Sequence, residues 1–458
     1  MTSEKTDFAV IGAGPAGMAA ATFAAELGLD TVLIDEQDAP GGQIYRSIER
    51  AEDDSPLGGD YLAGRRLADE FRESVAAYRP ATTVWHIDPD GTLSLISAAG
   101  TETLRARRIL LATGAIERPV PIPGWTLPGV MTAGAAQITL KTGDLVPSGR
   151  VVLAGQGPLM WLVAAQLIRA GAPPTALLLT APHANYHAAV RLLPRVLWPA
   201  RRALWKGRSL IRAVRAAGIP IRRETTGLRA LGRGRVEAVA WDSSEMACDL
   251  LLLHEGVIPN AQISLALGLD HRWDDAQLCW RPVTDEWGAT SLSTVSIAGD
   301  GGGIAGAEAA ALAGKLAALD AAAFLDRLEP AERDRRAAPM RAALQRELAI
   351  RPLLDRLYRP APSILVPQDD VIACRCEEVT VGQIRRAARL GAQGPNQAKA
   401  FTRCGMGPCQ GRVCGSIVSA VMADTLDRPI QEIGAYRPRA PYKPITLGAL
   451  AGIDATEA

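Results

Sequence analysis

The chain has 458 residues, 48% of them apolar, and a formal net charge of +1. That length suits about three domains, and the near-neutral charge argues against a general nucleic-acid binder. No stretch is long and apolar enough to span a membrane, and Met1 to Thr6 is too short and polar for a secretory signal, so a cytoplasmic protein is expected.

The first element is an apolar run from Asp7 to Ile11 that ends in Gly12-x-Gly14-x-x-Gly17, with Pro15 and Ala16 in the turn. An alanine-rich helix, Met18 to Leu27, is expected to follow. Gly12 allows a tight turn, Gly14 lets backbone approach a pyrophosphate, and Gly17 lets helix and strand pack closely. A second strand, Thr31 to Ile34, ends at Asp35 and Glu36, where an acid can accept hydrogen bonds from ribose hydroxyls. The turn Pro40-Gly41-Gly42-Gln43-Ile44-Tyr45-Arg46 is placed to wrap a flavin. Leu67 to Tyr78 reads as a helix, and Thr82–His86 with Thr92–Ser97 as a hairpin around Asp90-Gly91. A buried strand from Ile109 ends in Ala112-Thr113-Gly114. Far along the chain, Val295 to Ala298 ends in Gly299-Asp300 before another alanine-rich helix, to about Leu319.

Together these stretches resemble the two-dinucleotide-domain flavoproteins that include glutathione and thioredoxin reductases. The resemblance implies an α/β fold with a Rossmann pair. It implies FAD across a discontinuous domain, residues 1–118 and 285–325, held at Gly12, Gly14, Pro15, Ala16, Gly17, Asp35, Glu36, Gly42, Gln43, Arg46, Ala112, Thr113, Gly114, Gly299 and Asp300.

A second Rossmann-like unit is expected over residues 119–284. Val151 to Met160 repeats the strand–turn–helix opening, but Met160 stands where the third glycine would be. The next strand, Ala176 to Thr180, ends in neither an acid nor an arginine. The handle for an NAD ribose or an NADP phosphate is missing, although an adenine nucleotide remains compatible with the turn. From His183 to Arg235 there are thirteen Lys/Arg against one acid, Glu224, with Trp198 and Trp205 interspersed. This is either a solvated helical face or a docking surface for an acidic partner or a membrane.

Residues 326–370 read as a helical linker, charged from Leu325 to Leu357, and residues 426–458 as a proline-rich tail. Between them lies a different module, residues 371–425. Five of the seven cysteines fall here: Cys374, Cys376, Cys404, Cys409 and Cys414. In a cytoplasmic chain such a cluster suggests metal or redox chemistry rather than disulfides. Cys248 and Cys279 read as core residues, and the histidines show no metal spacing. Thr380 and Gln383 are spaced as a capping box for a helix to Leu390, and a second helix is expected from about Ser416. Four thiolates satisfy a [2Fe–2S] cluster, and structural zinc is the competing reading. Cys-x-Cys, thirty-two residues, then Cys-x-x-x-x-Cys resembles the bacterioferritin-associated-ferredoxin-like domain. On that resemblance the ligands are Cys374, Cys376, Cys409 and Cys414, with Cys404 a spare thiol nearby.

The whole chain resembles the α (A) subunits of heteromeric, dye-linked amino-acid dehydrogenases, the group of opine oxidases, D-hydroxyproline and L-proline dehydrogenases and hydrogen cyanide synthase. Gly114-Ala-Ile-Glu-Arg-Pro119, Pro123 to Gly134, and Cys404-Gly-Met-Gly-Pro-Cys-Gln-Gly411 carry it. The resemblance implies a β subunit like glycine/D-amino-acid oxidases that oxidises the amine, a small γ ferredoxin-like subunit, and an FMN between subunits. Electrons would reach a quinone-type acceptor, with membrane association through that acceptor. Two other readings stay open, a self-contained NAD(P)H-dependent flavin reductase and a non-catalytic scaffold. No residue pair is assignable to substrate acid–base chemistry.

Overall fold

In the computed structural model the described residues are 4–452; the last six residues of the expected tail and the first three of the chain lie outside them. A largely parallel sheet is built around the strand Glu4–Ile11, flanked by Thr31–Ile34 and Gly100–Leu111. The twelve-residue strand Gly100–Leu111 serves two partners. Its first half takes the antiparallel strand Thr92–Ser97, and its last residues take Val295–Ile297 in parallel, which returns the distant Gly299-Asp300 turn to the first glycine turn. The expected hairpin forms as Thr83–Ile87 with Thr92–Ser97. The helix read as Leu67 to Tyr78 is instead Gly64–Glu73, and Ala77–Arg79 is an edge strand paired with Val32–Ile34. Ser74 turns extended at the helix end, and sheet pairing then overrides helical periodicity.

The helix Pro15–Glu26 lies against the helix Ala307–Phe324 with backbone nearly touching backbone. A Cβ at Gly314 would stand 2.1 Å from the Ala16 carbonyl oxygen. The alanine-rich sequences of both helices permit this approach, since larger side chains would hold the axes apart.

The second unit is a five-stranded parallel sheet in the order Ile221–Arg222, Ala176–Leu179, Val151–Gln156, Leu250–Glu255, Val130–Thr132. Two short crossing strands, Ala115–Glu117 and Val257–Pro259, pair antiparallel where the chain passes between the units. The stretch expected as a linker is packed helix. Ala337 of Pro330–Leu348 is buried with Trp287 and Leu319, and Leu353 of Arg351–Leu357 packs on Ala189 and Val196. The cysteine module is likewise not a tethered bead. Val371, Cys374, Val381 and Ile417 share one core with Val120, Val152 and Val239 of the second unit. The capping box forms as read, with Gln383 N donating to Thr380 Oγ1 and Thr380 N to Gln383 Oε1. The tail folds back too, placing Tyr436 under Cys404 and Tyr442 on the flavin-side sheet.

Lys141, in the helix Ala133–Gly143, pins the two Rossmann units together. Its Nζ donates to the Gln43 and Ile44 carbonyls of the first unit, both at 2.9 Å, and to Gln137 Oε1 at 3.0 Å. Gln137 in turn donates to Gln166, which donates to the Leu57 carbonyl. Burial, with the Arg46 charge adding to it, pushes the ammonium down to about 7. Between about pH 7 and the unfolded value of 10.5 the unfolded chain binds the extra proton, so stability rises with pH across that window; below it the burial penalty is fully present. Denaturant midpoints followed from pH 7 to 10 should show wild type gaining on Lys141→Met by on the order of 1 kcal/mol per pH unit. Parallel profiles would contradict this role of Lys141.

Candidate functional site

One continuous cavity of about 1950 Å³ runs from the first glycine turn, past the crossing strands, to the cysteine module. At its first end Gly12 has φ +106, and a Cβ there would lie 2.5 Å from the Ala112 carbonyl oxygen, so only glycine fits. Gly14, the N-cap of the helix Pro15–Glu26, faces open space, with nothing nearer to a Cβ than Gly42 Cα at 3.9 Å. A helix N-terminus with open approach is an anion cradle. Asp35 is held in place by Ala13 N at 2.5 Å on Oδ2 and Gln37 N at 2.7 Å on Oδ1. Burial pushes its carboxyl up and these two donors oppose the shift. Each oxygen keeps a lone pair for a ribose hydroxyl.

Glu36 also borders the cavity, where it pairs with Lys443 of the tail. Gly42, Gln43 and Arg46 border the cavity, as do Pro15, Ala16 and Ala112. Thr113 and Gly114 are fixed by Asn260, whose N–H donates to the Gly114 carbonyl at 3.0 Å. Gly17 does not face the cavity; it sits under the turn, where a Cβ would lie 1.8 Å from the Gly12 carbonyl oxygen. Asp300 Oδ1 accepts from Ala305 N and Gly306 N, which shapes the second helix N-terminus beside Gly299. Two buried polar atoms on this wall, Arg46 Nε and Asn260 Oδ1, have no partner among the described residues. An open helix N-terminus, a ribose-ready acid and orphaned polar atoms fit a flavin dinucleotide. Bound there, FAD supplies two-electron redox chemistry that the protein's own side chains lack.

The second glycine turn differs in kind. Met160, in the third-glycine position, is fully buried. The strand ends above it close on themselves: Glu255 accepts from Thr180 Oγ1 at 2.6 Å and from Gln156 Nε2 at 2.7 Å, and all three residues are buried. Burial pushes the Glu255 carboxyl up. Thr180 is therefore turned inward rather than toward a ribose. Beside this network, Glu117 bridges His254 Nδ1 at 2.7 Å and Gly134 N at 2.9 Å, and Arg118 donates to three backbone carbonyls. The Glu-Arg pair of the quoted motif thus braces the crossing between units. Arg208, Arg212 and Arg215 border the same cavity from the helix Arg201–Ala216.

At the far end all five late cysteines gather. Cys374, Cys404 and Cys414 are buried, with their sulfurs within 4.8 Å of one another. Cys376 and Cys409 form a neighbouring pair at 3.7 Å. Among the described residues no four cysteine sulfurs share the closer grouping that a single four-thiolate metal needs; the division is three and two. Hydrogen bonds from Cys404 and Cys414 pull the Cys374 thiol down to about 2. Cys404 is thus in contact with two of the expected ligands. Cys248 and Cys279 are buried apart from this group, and burial pushes the Cys279 thiol up to about 12.

Several residues went unread in the sequence. Trp125 donates to the Ile372 carbonyl at 2.7 Å, and the Arg375 guanidinium lies 5.1 Å over its ring, tying the Pro123–Gly134 motif to the cysteine hairpin. Arg375 and Arg412, each beside cysteines, border the cavity. Arginines interleaved with cysteines were the available signal. Tyr442 and Lys443 border the cavity from the proline-rich tail.

The sequence model of the pyridine nucleotide-disulphide oxidoreductase family matches residues 6–314, and that of the sarcosine oxidase A3 domain matches residues 373–453. Over 460 residues the chain is 43% identical to the A subunit of opine oxidase from Rhizobium meliloti, covering 98% of each. It is 33% identical over 470 residues to the HcnB subunit of hydrogen cyanide synthase from Pseudomonas aeruginosa, covering 98% of this chain and 99% of that one. The structure of L-proline dehydrogenase from P. horikoshii shares the fold, with a TM-score of 0.71 over 98% of this chain and 80% of that one at 20% identity. With a flavin-fitting cavity, a family match over most of its length and relatives alike from end to end, the chain belongs to the pyridine nucleotide-disulphide oxidoreductase family, in the group that includes the opine oxidase A subunits.

Proposed function

We propose that this chain is the electron-transferring subunit of a heteromeric dehydrogenase that oxidises an opine, amino acid or related secondary amine. The observation behind this reading is the shared cavity. Flavin-site residues line one end, and Arg375 and Arg412 of the cysteine module line the other. Amine oxidation itself belongs to a partner resembling glycine/D-amino-acid oxidases, as the likeness to the opine oxidase A subunits suggests. A quinone-type acceptor, an interfacial FMN and a small γ partner complete the proposal, and an adenine nucleotide suits the second turn with Arg208 and Arg212 as its cations.

The cysteines fit an iron–sulfur cluster better than zinc. Two thiolates on one tetrahedral metal, with metal–sulfur bonds of about 2.3 Å, stand about 3.8 Å apart. The Cys376–Cys409 separation of 3.7 Å matches one such metal, and the buried group around Cys374 serves a second. We assign Cys374, Cys376, Cys409 and Cys414 as ligands. Cys414 stands at the N-cap of the helix Gly415–Leu426 and in the buried group with Cys374. When bound, such a cluster supplies one-electron chemistry.

NADH should not reduce the flavin of the isolated chain at a useful rate, because Glu255, Thr180 and Gln156 fill the strand-end crevice with a buried carboxylate and leave no ribose handle. Stopped-flow reduction faster than typical turnover, about 10 per second, would overturn this and favour a self-contained reductase.

For the cluster, Ser at any of the four assigned positions should remove iron and the visible absorption, while Cys404→Ser keeps both. Loss of iron in Cys404→Ser with retention in Cys414→Ser would reverse the assignment. Zinc without iron in the wild type would refute the cluster.

A further inference from the structure

The cation-rich segment after the second glycine turn has an outer face that no element among the described residues covers. Three helices, His183–Val190, Leu193–Val196 and Arg201–Ala216, make it up. Their inner face is accounted for: Ala189, Val196 and Ala200 pack on Ile350 and Leu353. Their outer face carries large apolar side chains in water. Trp198 is 77% exposed, Trp205 69%, Leu197 62% and Val190 59%. None of these four lines the cavity.

Charge on this face has one sign. Residues 190–205 hold Arg191, Arg195, Arg201 and Arg202 and no acid. Among the described residues none of these four has a carboxylate within salt-bridge distance, and Arg201 instead lies 5.1 Å over the Trp198 ring. On the long helix Arg201 and Trp205 share one side by their spacing of four, opposite the fully buried Val214.

We infer that this face docks on an anionic phospholipid surface, with Trp198, Trp205 and Leu197 seated at headgroup level and the arginines around them. Charge complementarity favours an anionic lipid, since residues 190–205 offer arginines and tryptophans and no acid. Here each exposed apolar side chain has an arginine within four residues along the chain, the interleaving of aromatic and basic groups that suits the membrane–water boundary. Unpaired arginines of one sign also attract anionic headgroups over a distance of about 10 Å at 0.1 M salt. Among the described residues no helix is long and apolar enough to cross a bilayer, so this contact is peripheral.

The test uses the full-length chain and vesicles of phosphatidylcholine with or without phosphatidylglycerol. Co-sedimentation should require the anionic lipid and weaken with salt. Arg201→Gln with Arg202→Gln should lower vesicle affinity by about tenfold or more. Brominated lipid should quench tryptophan fluorescence in wild type, and Trp198→Ser with Trp205→Ser should abolish that quenching while leaving flavin content and the circular dichroism spectrum unchanged. Absence of binding to anionic vesicles, or binding and quenching indifferent to these variants, would overturn the inference. So would a partner protein of the complex that protects residues 190–205 from hydrogen exchange and blocks vesicle binding, which would assign the face to that protein.

Discussion

The near-contact of two helix backbones, at Ala16 and Gly314, is the constraint on which the flavin site depends. It is the reason that turns separated by almost three hundred residues of sequence meet. The helix Pro15–Glu26 carries Gly14 at its start, and the helix Ala307–Phe324 begins just after Asp300. With the axes this close, two positive helix ends converge on one cavity, and the parallel pairing of Val295–Ile297 with the end of Gly100–Leu111 sets their height. A side chain at Gly314 would separate the helices and with them the two halves of the phosphate cradle. Small residues there are thus a functional requirement met through packing.

Close packing shapes the second unit as well. Its strand–turn–helix framework persists, and at its strand ends Glu255 accepts from both Gln156 and Thr180. Polar groups buried in this way are costly to reopen, because a displaced partner leaves an unpaired donor or a buried carboxylate. Meanwhile the unit gains a neighbour. Its core merges with that of the cysteine module, and Trp125 bonds the hairpin that carries Cys374. Flavin-site residues line one part of the cavity and Arg375 and Arg412 of the cysteine module another, and the module shares its core with the second unit.

Much of this was legible in the sequence where the physics is local. Glycine turns, the acid after the second strand and the capping box at Thr380 depend on residues a few positions apart, and each formed where the spacing placed it. The edge strand Ala77–Arg79 was not legible, because its pairing with Val32–Ile34 is decided across the sheet. Nor was the Glu255 network, whose three members come from three strands and look unremarkable singly. The proline-rich tail was read only by its composition, yet Tyr436 and Tyr442 bury their rings, a tertiary outcome that composition hides. Spacing named a cysteine set but could not reveal that Cys404 would touch two of its members. The second site was legible mainly as a lack, through Met160 and the uncharged strand end.

On the proposed route, reducing equivalents enter this chain from an amine-oxidising partner and reach its cysteine centre. That route is open to anaerobic EPR of the assembled complex after mixing with opines, proline, hydroxyproline or glycine in turn, and separately with NADH. The expected result is the reduced-cluster signal with at least one of the amines and none with NADH. A signal with NADH alone, or an iron-loaded complex that stays silent while an amine is being turned over, would contradict the route.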